Sequence, residues 1–200
     1  MTGAARKPHL LHLFGDFDAG PVQRRAVAVM NHCGPAATHA IISAAPAALA
    51  ARSLIARGVK VHNPFGFPPL SGPMGVRHWQ VLARAMRGFD LILTYDHAAL
   101  DAALAHALFG PMHRLAPLIH HIADSAPAAA PWWRRVWGPR LALARASAVI
   151  VASPQAERLA LDHWAQPRAR VQLIGDTDVA GYAQCYASAL GLDEFPPASH

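Results

Sequence analysis

The chain is poor in cysteine and has no long apolar run. Its two cysteines, Cys33 and Cys185, lie far apart and match neither a disulfide framework nor the ligand spacing of a zinc site. No stretch reaches the roughly 18 uninterrupted apolar residues that a membrane-spanning helix needs. The short apolar run near the start is interrupted by His12, Gly15 and Asp16, so it does not resemble a secretory signal. These absences predict a cytoplasmic protein that holds no metal ion.

Lysine is also scarce, since Lys7 and Lys60 are the only two, and the formal net charge of +6 therefore comes from arginine. Arginine suits phosphate and carboxylate recognition, but GC-rich coding produces the same bias, and we give that explanation the larger weight. Nucleic-acid binding would require a basic cluster within a recognisable module, and the sequence has none. We therefore expect no nucleic-acid partner, whereas a peripheral contact with anionic lipid at the inner face of the membrane stays open.

Alanine is abundant, and segments typical of strands alternate with segments typical of helices. With 200 residues, 53% of them hydrophobic, the chain can bury the core of one ordinary domain. The loop of residues 64–75 is rich in proline and glycine and is too long to be a mere connector. The predicted strands are residues 10–14, 38–43, 59–63, 90–96, 116–122, 147–153 and 171–174. The predicted helices are residues 22–32, 46–57, 77–87, 97–109, 132–146 (interrupted near Gly138-Pro139) and 154–164, with a polar tail from Gly175.

This alternation predicts the α/β class, as a Rossmann-like, doubly wound, mainly parallel sheet with helices on both faces. The strands are apolar almost throughout, as expected when both faces of a sheet are covered. Such sheets bind ligands outside the carboxyl ends of their strands, near the point where the strand order reverses. The predicted ligand-binding loops are therefore those that follow the strands, namely Gly15–Gly20, Asp96–His97, Ala123–Ser125, Ser153–Pro154 and Gly175–Asp178.

The first of these loops belongs to the stretch His9–Arg25 (HLLHLFGDFDAGPVQRR), which combines a buried strand, a glycine-bearing loop and a helix from Pro21. A helix that begins at the carboxyl end of a strand presents unpaired backbone N–H groups, which favour an anion such as a phosphate. Gly15 and Gly20 do not form a GxGxxG motif, and Pro21-Val22 stands where a P-loop needs Lys-Ser/Thr. The loop is a candidate phosphate-binding element, and an ordinary tight turn is the alternative.

Five short motifs follow one another along the chain: residues 19–24 (AGPVQR), 90–97 (DLILTYDH), 117–124 (PLIHHIAD), 146–153 (ASAVIVAS) and 171–178 (VQLIGDTD). In this order they resemble the amino-terminal domain of GT-B glycosyltransferases of the family 4 type. The first stands in the place of that family's Gly-Gly-x-Glu-Arg loop. The fourth resembles Ala-Asp-x-Val-Ile-Ala-Val-Ser, and the fifth resembles Val-x-Val-Ile-Pro-Asn-Gly-Val-Asp with one residue fewer. The resemblance extends from Leu10 to Tyr182.

The resemblance implies a single GT-B half, with residues 1–182 as the Rossmann-like domain and 183–200 as a short tail or the start of an interdomain linker. Where the family has a histidine before the acidic residue at the strand end, this chain has Ala123, preceded by His120 and His121. Adjacent strand residues point to opposite faces, so at most one of these histidines faces the crevice. The residues implied for catalysis are His120, His121 and Asp124. Those implied for donor binding are Gly15, Gly20, Arg24, Asp96, His97, Ser153 and Asp176.

Several of these residues also have a structural interpretation. His120 and His121 are alternatively hydrogen-bonded core groups, and they lack a third ligand at metal spacing. Asp96 is a candidate cap for the helix that follows, and Ser153 followed by proline is typical of an N-cap. The cluster Trp132–Arg135, with Trp137 and Arg140, suits a bilayer interface, but a packed helix with a solvated arginine face is favoured.

The resemblance implies transfer of a sugar from a nucleotide-sugar donor to a hydroxyl on a sugar or lipid-linked acceptor, without a further cofactor. The family's second domain, which holds the donor, is not part of this chain, so the half is expected to be incomplete and inactive alone. A carboxyl-terminal domain from another chain, or one lost by truncation, would complete it. The alternative is a non-catalytic remnant or binding module with the same fold, because activity does not follow from fold.

Overall fold

The computed structural model describes residues 6–70, 75–122 and 132–195. Within these ranges seven strands form one sheet in the order β3-β2-β1-β4-β5-β6-β7, and each neighbouring pair is parallel. The predicted α/β class and the Rossmann-like, doubly wound sheet are confirmed. The strands are β1 (His9–Phe14), β2 (Thr38–Ser43), β3 (Lys60–His62), β4 (Leu91–Tyr95), β5 (Leu118–Ile122), β6 (Ala148–Val151) and β7 (Val171–Leu173).

Helices cover both faces of the sheet and bury two hydrophobic layers. One layer joins β1 and β4 to helices α1 and α6, and the other joins the same strands to α2, α3, α4 and α5. All five residues of β4 and of β5 are buried, as expected for central strands covered on both sides. The helices are α1 (Pro21–Cys33), α2 (Val76–Ala85), α3 (Leu100–His113), α4 (Trp132–Ala142), α5 (Pro154–Arg158) and α6 (Val179–Ala189).

The helix predicted over residues 46–57 is wrong, because the structure has only a 3-10 turn there, Ala50–Leu54. The backbone groups that a helix would need are bonded elsewhere. Phe17 N–H donates to Ala48 O at 2.9 Å, and Ala51 N–H donates to Phe17 O at 3.0 Å. A neighbouring loop therefore takes the hydrogen bonds that helix propensity alone would assign to the segment itself.

Two predicted helix breaks are also wrong. Helix α3 passes through Gly110-Pro111 and ends at Arg114, which has a left-handed φ of 50°. Helix α4 runs without interruption through Gly138-Pro139. A proline removes one intrahelical hydrogen bond, and in both helices it stands near the carboxyl end, where few bonds depend on it.

The polar tail predicted from Gly175 is wrong as well, since α6 occupies residues 179–189 and packs on the core. Tyr182, Cys185 and Tyr186 of this helix are all buried. The position proposed as a domain boundary, residue 182, falls inside α6. The described residues include no helix long and apolar enough to cross a membrane.

A chain of five buried polar side chains crosses the sheet on the α1 and α6 side. His39 Nδ1 lies 2.9 Å from His12 Nε2, and His12 Nδ1 lies 3.0 Å from the Tyr95 hydroxyl. The Tyr95 and Tyr186 hydroxyls are 3.5 Å apart, and the Tyr186 hydroxyl lies 3.0 Å from His121 Nε2. Each contact can be made by neutral groups. Two ring nitrogens at the ends of the network, His39 Nε2 and His121 Nδ1, are buried without a hydrogen-bond partner among the described residues.

Three histidines belong to this row of hydrogen bonds, and burial keeps all three neutral. Burial lowers the pKa of His39 to about 4, and it lowers the pKa of His12 and His121 well below the ordinary value. On the opposite face, burial lowers the pKa of His120 to about 3, and His120 Nδ1 lies 2.9 Å from Thr94 Oγ1. These four residues are at most 1% exposed. Folding therefore requires their uncharged forms.

The four buried histidines predict a stability that is lost in acid. Their folded pKa values lie below the unfolded value of about 6.5, so the unfolded chain binds more protons below that pH. The free energy of unfolding, measured in urea, should reach its plateau above about pH 7 and fall between about pH 6 and pH 4. Each fully neutral histidine contributes roughly 1.4 kcal/mol per pH unit to that slope.

Replacing His120→Asn removes one titrating ring, so the slope should become shallower by roughly 1.4 kcal/mol per pH unit. Thr94→Val removes the hydrogen-bond partner and keeps the ring, so it should lower stability while retaining the steep slope. An unchanged slope in His120→Asn would contradict the assignment of a neutral His120.

Candidate functional site

The strand order reverses between β1 and β4, and the loops that follow these two strands meet there. Glycine is required at Gly15, because a Cβ atom at this position would lie 2.5 Å from Ala98 Cβ. Ala98 belongs to the 3-10 turn His97–Ala99, which follows β4 directly. The Gly15–Gly20 loop and this turn are therefore in direct contact at the carboxyl edge of the sheet, where doubly wound folds bind ligands.

Helix α1 begins at this edge with Pro21. Gly20 is its N-cap in an extended conformation, no side chain caps it, and no acidic residue lies in the first turn. The Gln23 amide donates to both the backbone oxygen and a carboxylate oxygen of Asp16, each at 3.1 Å. These bonds hold the loop against the helix. Pro21 has no N–H and Arg24 N–H donates to Gly20 O at 2.9 Å, so Val22 and Gln23 present the N–H groups for which the described residues offer no side-chain acceptor, which suits an anion.

The two arginines of α1 have different surroundings. Arg24, the residue implied for donor binding, is exposed. Arg25 is buried, forms an ion pair with Asp176 and lies over the Tyr182 ring, with 5.3 Å from its guanidinium carbon to the ring centroid. Sequence reasoning missed Arg25, although Asp176 was among the candidates. The pair joins α1 to the loop after β7.

Asp96 and His97 lie at the same edge, immediately after β4. Asp96 has a φ of 56°, a left-handed conformation that is costly for a residue other than glycine, and its N–H donates to His121 O at 2.9 Å. Its side chain makes no capping hydrogen bond to the following turn, so the capping interpretation of Asp96 is wrong. The His97 ring lies 5.4 Å from the Trp164 ring, and burial lowers the pKa of His97.

The remaining candidates are His120, His121, Ser153 and Asp124. His120 and His121 are both buried on β5 and point to opposite faces, each with a hydrogen-bond partner in the core. Ser153 caps α5, since its hydroxyl accepts from Ala156 N–H at 3.1 Å, as the sequence predicts. Asp124 lies outside the described residues.

A cleft of about 290 Å³ opens at the carboxyl ends of β2 and β3. The sequence signal for it was the proline-rich loop of residues 64–75, whose length marked it as more than a connector. Two of its polar atoms are engaged within the protein: Ser43 Oγ donates to Ala45 O at 2.8 Å, and Asn63 Oδ1 accepts from Arg52 at 3.0 Å. The apolar lining is formed by Ile41, Ile42, Ala44, Pro46, Leu49, Pro64, Phe67, Pro68 and Pro69.

The cleft and the Gly15–Gly20 loop share one wall, the segment of residues 44–51. Ala44 N–H donates to Phe14 O at 2.9 Å, and Ala45 N–H donates to Gly15 O at 3.0 Å. These backbone bonds fix the cleft relative to the start of α1. In the described ranges no three histidine, cysteine or acidic side chains come together as metal ligands.

The chain matches no protein-family model and no curated protein. Solved structures resemble its fold. Anabaena Alr3699/HepE in complex with UDP and glucose is 18% identical, with a TM-score of 0.59 over 91% of this chain and 51% of that chain. The same protein in complex with UDP-glucose is 18% identical, with a TM-score of 0.57 over 92% and 50% of the two chains. This chain thus spans about half the length of these structures, and at this identity the likeness shows the fold alone.

The contact between Gly15 and Ala98 predicts a specific pair of variants. Gly15→Ala should lower the free energy of unfolding by about 1–3 kcal/mol, because both Cβ atoms are fixed to backbone and one loop must shift. The double variant Gly15→Ala/Ala98→Gly removes the clash and should recover most of this loss, measured by urea unfolding.

Gly175→Ala is the matched control, since a Cβ atom there meets nothing within 4 Å. It should change stability by less than about 0.5 kcal/mol. Equal losses in Gly15→Ala and in the double variant would show that the two loops do not touch.

Proposed function

We propose that this chain is half of a glycosyltransferase, which moves a sugar from a nucleotide-sugar donor to a hydroxyl acceptor. The observation that carries the proposal is the uncapped start of α1 at the point where the strand order reverses, a geometry suited to a diphosphate. The matched structures, solved with UDP, UDP-glucose, or UDP and glucose, support a nucleotide-sugar donor. The resemblance to family 4 enzymes supports the same class of reaction.

In this proposal the chain contributes electrostatic stabilisation. Negative charge develops on the donor diphosphate as the bond to the sugar breaks, and the N–H groups of the first turn of α1 are oriented to receive it. Gly15 and Gly20 let the backbone approach the donor, and Arg24 is exposed beside it. Asp96, His97 and Asp176 line the same edge, whereas Ser153 holds α5 in place.

The proposed acceptor site is the cleft beside the Gly15–Gly20 loop. Its apolar lining favours an acceptor that carries an apolar group over a free sugar, because a sugar needs many hydrogen-bond partners. A base near the attacking hydroxyl would complete the reaction. The sequence suggests Asp124 for this role, and His120 and His121 are the weaker candidates. Both histidines are buried on β5, three strands away from the cleft, so neither reaches an acceptor there.

The proposal includes a second domain that would hold the rest of the donor, from another chain or from a longer form of this one. We also propose that the protein is located in the cytoplasm. The fact that this chain spans about half of each matched structure supports a two-domain arrangement.

A non-catalytic binding module with the same fold is the second candidate. One observation favours it: the histidines nearest the family's reaction-centre position are enclosed in the core, where His121 is bonded to Tyr186 and His120 lies beside Thr94. Such side chains stabilise a fold without reaching a substrate.

Binding of the donor by the chain itself tests the proposal. Titration with UDP-glucose, UDP and GDP-glucose up to about 10 mM, followed by ¹⁵N amide shifts and by calorimetry, detects even weak contacts. We expect shifts in residues 15–25 and 96–99, because the diphosphate would lie against the first turn of α1.

Arg24→Gln should weaken that binding by about tenfold, because a charge-assisted contact is lost. Arg57→Gln removes an equally exposed positive charge elsewhere and should leave binding unchanged. Shifts confined to other regions would contradict a diphosphate site at the start of α1. The absence of any shift at the highest concentration would mean that the donor site requires the second domain.

A further inference from the structure

Residues 19–89 contain no aspartate or glutamate, although they carry eight of the 18 basic residues. This stretch runs from the start of α1 to the residue before Asp90, and it includes β2, β3 and α2. Exposed basic side chains stand on β3 and on the segments before and after it, namely Lys60, Arg52 and Arg77. Exposed basic side chains attract an anionic partner.

The most exposed large apolar side chain of the described residues stands at this edge. Phe65 is fully exposed, and it lies between Pro64 and Gly66 in the loop that follows β3. Gly66 has a φ of 72°, a left-handed conformation that glycine adopts without strain, and this turn places Phe65 at the tip. Phe67 on the other side of the turn is half-buried in the cleft. The loop thus exposes the ring of Phe65 to solvent, while Phe67 packs into the cleft.

Hydrogen bonds from Arg52 and His78 hold the two ends of this loop. Arg52 donates to Asn63 Oδ1 at 3.0 Å at its start, and a ring nitrogen of His78 lies 2.9 Å from Pro69 O at its end. His78 belongs to the first turn of α2, where Val76 and Arg77 are exposed. We call the exposed side chains Arg52, Phe65, Val76 and Arg77 the Phe65 patch.

We propose that the Phe65 patch docks this protein on the surface of an anionic lipid bilayer. Phe65 would insert below the headgroups, where burial of its ring is favourable. Arg52 and Arg77 would lie at headgroup depth, since arginine extends its charge to the lipid phosphates while its stem contacts apolar material. Charge complementarity selects the anionic bilayer, because Arg52 and Arg77 are exposed and neither forms an ion pair with another described residue.

The patch differs in position from the aromatic and basic cluster that the sequence suggested for a membrane contact. In that cluster Trp137 is half-exposed and is covered by Arg140, whose guanidinium carbon lies 5.0 Å from the ring centroid. Arg140 also donates to His163 O at 3.0 Å. The side chain of Phe65 has no such cover. Docking through Phe65 would also bring the mouth of the cleft to the bilayer, a consequence that matters only if the proposed acceptor role is correct.

Vesicle co-sedimentation of the purified chain tests the proposal without any assay of activity. The probes are vesicles of phosphatidylcholine alone and of phosphatidylcholine with about 30 mol% phosphatidylglycerol. We expect binding to the anionic vesicles only, with release at about 0.5 M salt. Phe65→Ser should weaken binding by about tenfold or more, and Arg52→Ala and Arg77→Ala by about fivefold each.

Two variants serve as controls. Leu173→Ser removes an exposed apolar side chain on β7, the strand at the opposite edge of the sheet, and should bind as the wild type does. Trp137→Ala tests the alternative cluster and should also retain binding. Thermal unfolding of each variant verifies that it is folded.

Three results would overturn the proposal: wild-type binding that is absent or equal on both vesicles, Phe65→Ser binding that matches the wild type, or a loss confined to Trp137→Ala. Size-exclusion chromatography provides the remaining check. Self-association of the wild type that disappears in Phe65→Ser would assign the patch to contacts between copies of the chain.

Discussion

Coverage of the parallel sheet on both faces is the constraint on which the rest of this structure depends. Every residue of β4 and β5 is buried, so any polar side chain on these strands must find its partner inside the protein. Tyr95 and His121 do so through the chain of hydrogen bonds that reaches across to β1 and α6. The same coverage excludes ligands from the faces of the sheet and leaves its carboxyl edge as the place where backbone groups are accessible.

At that edge, backbone hydrogen bonds connect parts that are distant in sequence. The segment after β2 is bonded to the loop after β1, which in turn touches the turn after β4. The ion pair of Arg25 with Asp176 joins the loop after β7 to α1. The proposed diphosphate site and the cleft therefore rest on one interconnected set of loops.

Sequence reasoning was most accurate for the strands and least accurate where tertiary contacts compete with local preference. The seven predicted strands are all present. A short apolar run bounded by turn residues is compatible with few structures other than a buried strand. The predicted helix over residues 46–57 is absent, since Phe17 takes its backbone bonds. Pro111 and Pro139 failed to end their helices, which shows that the loss of one hydrogen bond near a carboxyl terminus is tolerated.

The sequence by itself determined the class of fold, because the alternation of buried strands and helices imposes it. It also determined the Ser153 cap, which depends only on residues close in the chain. Only the tertiary structure decided which arginine of α1 meets Asp176, that His120 and His121 are enclosed in the core, and that Phe65 protrudes. The physical reason is that burial and pairing depend on residues far apart in sequence, whereas the patterns available in one sequence are local.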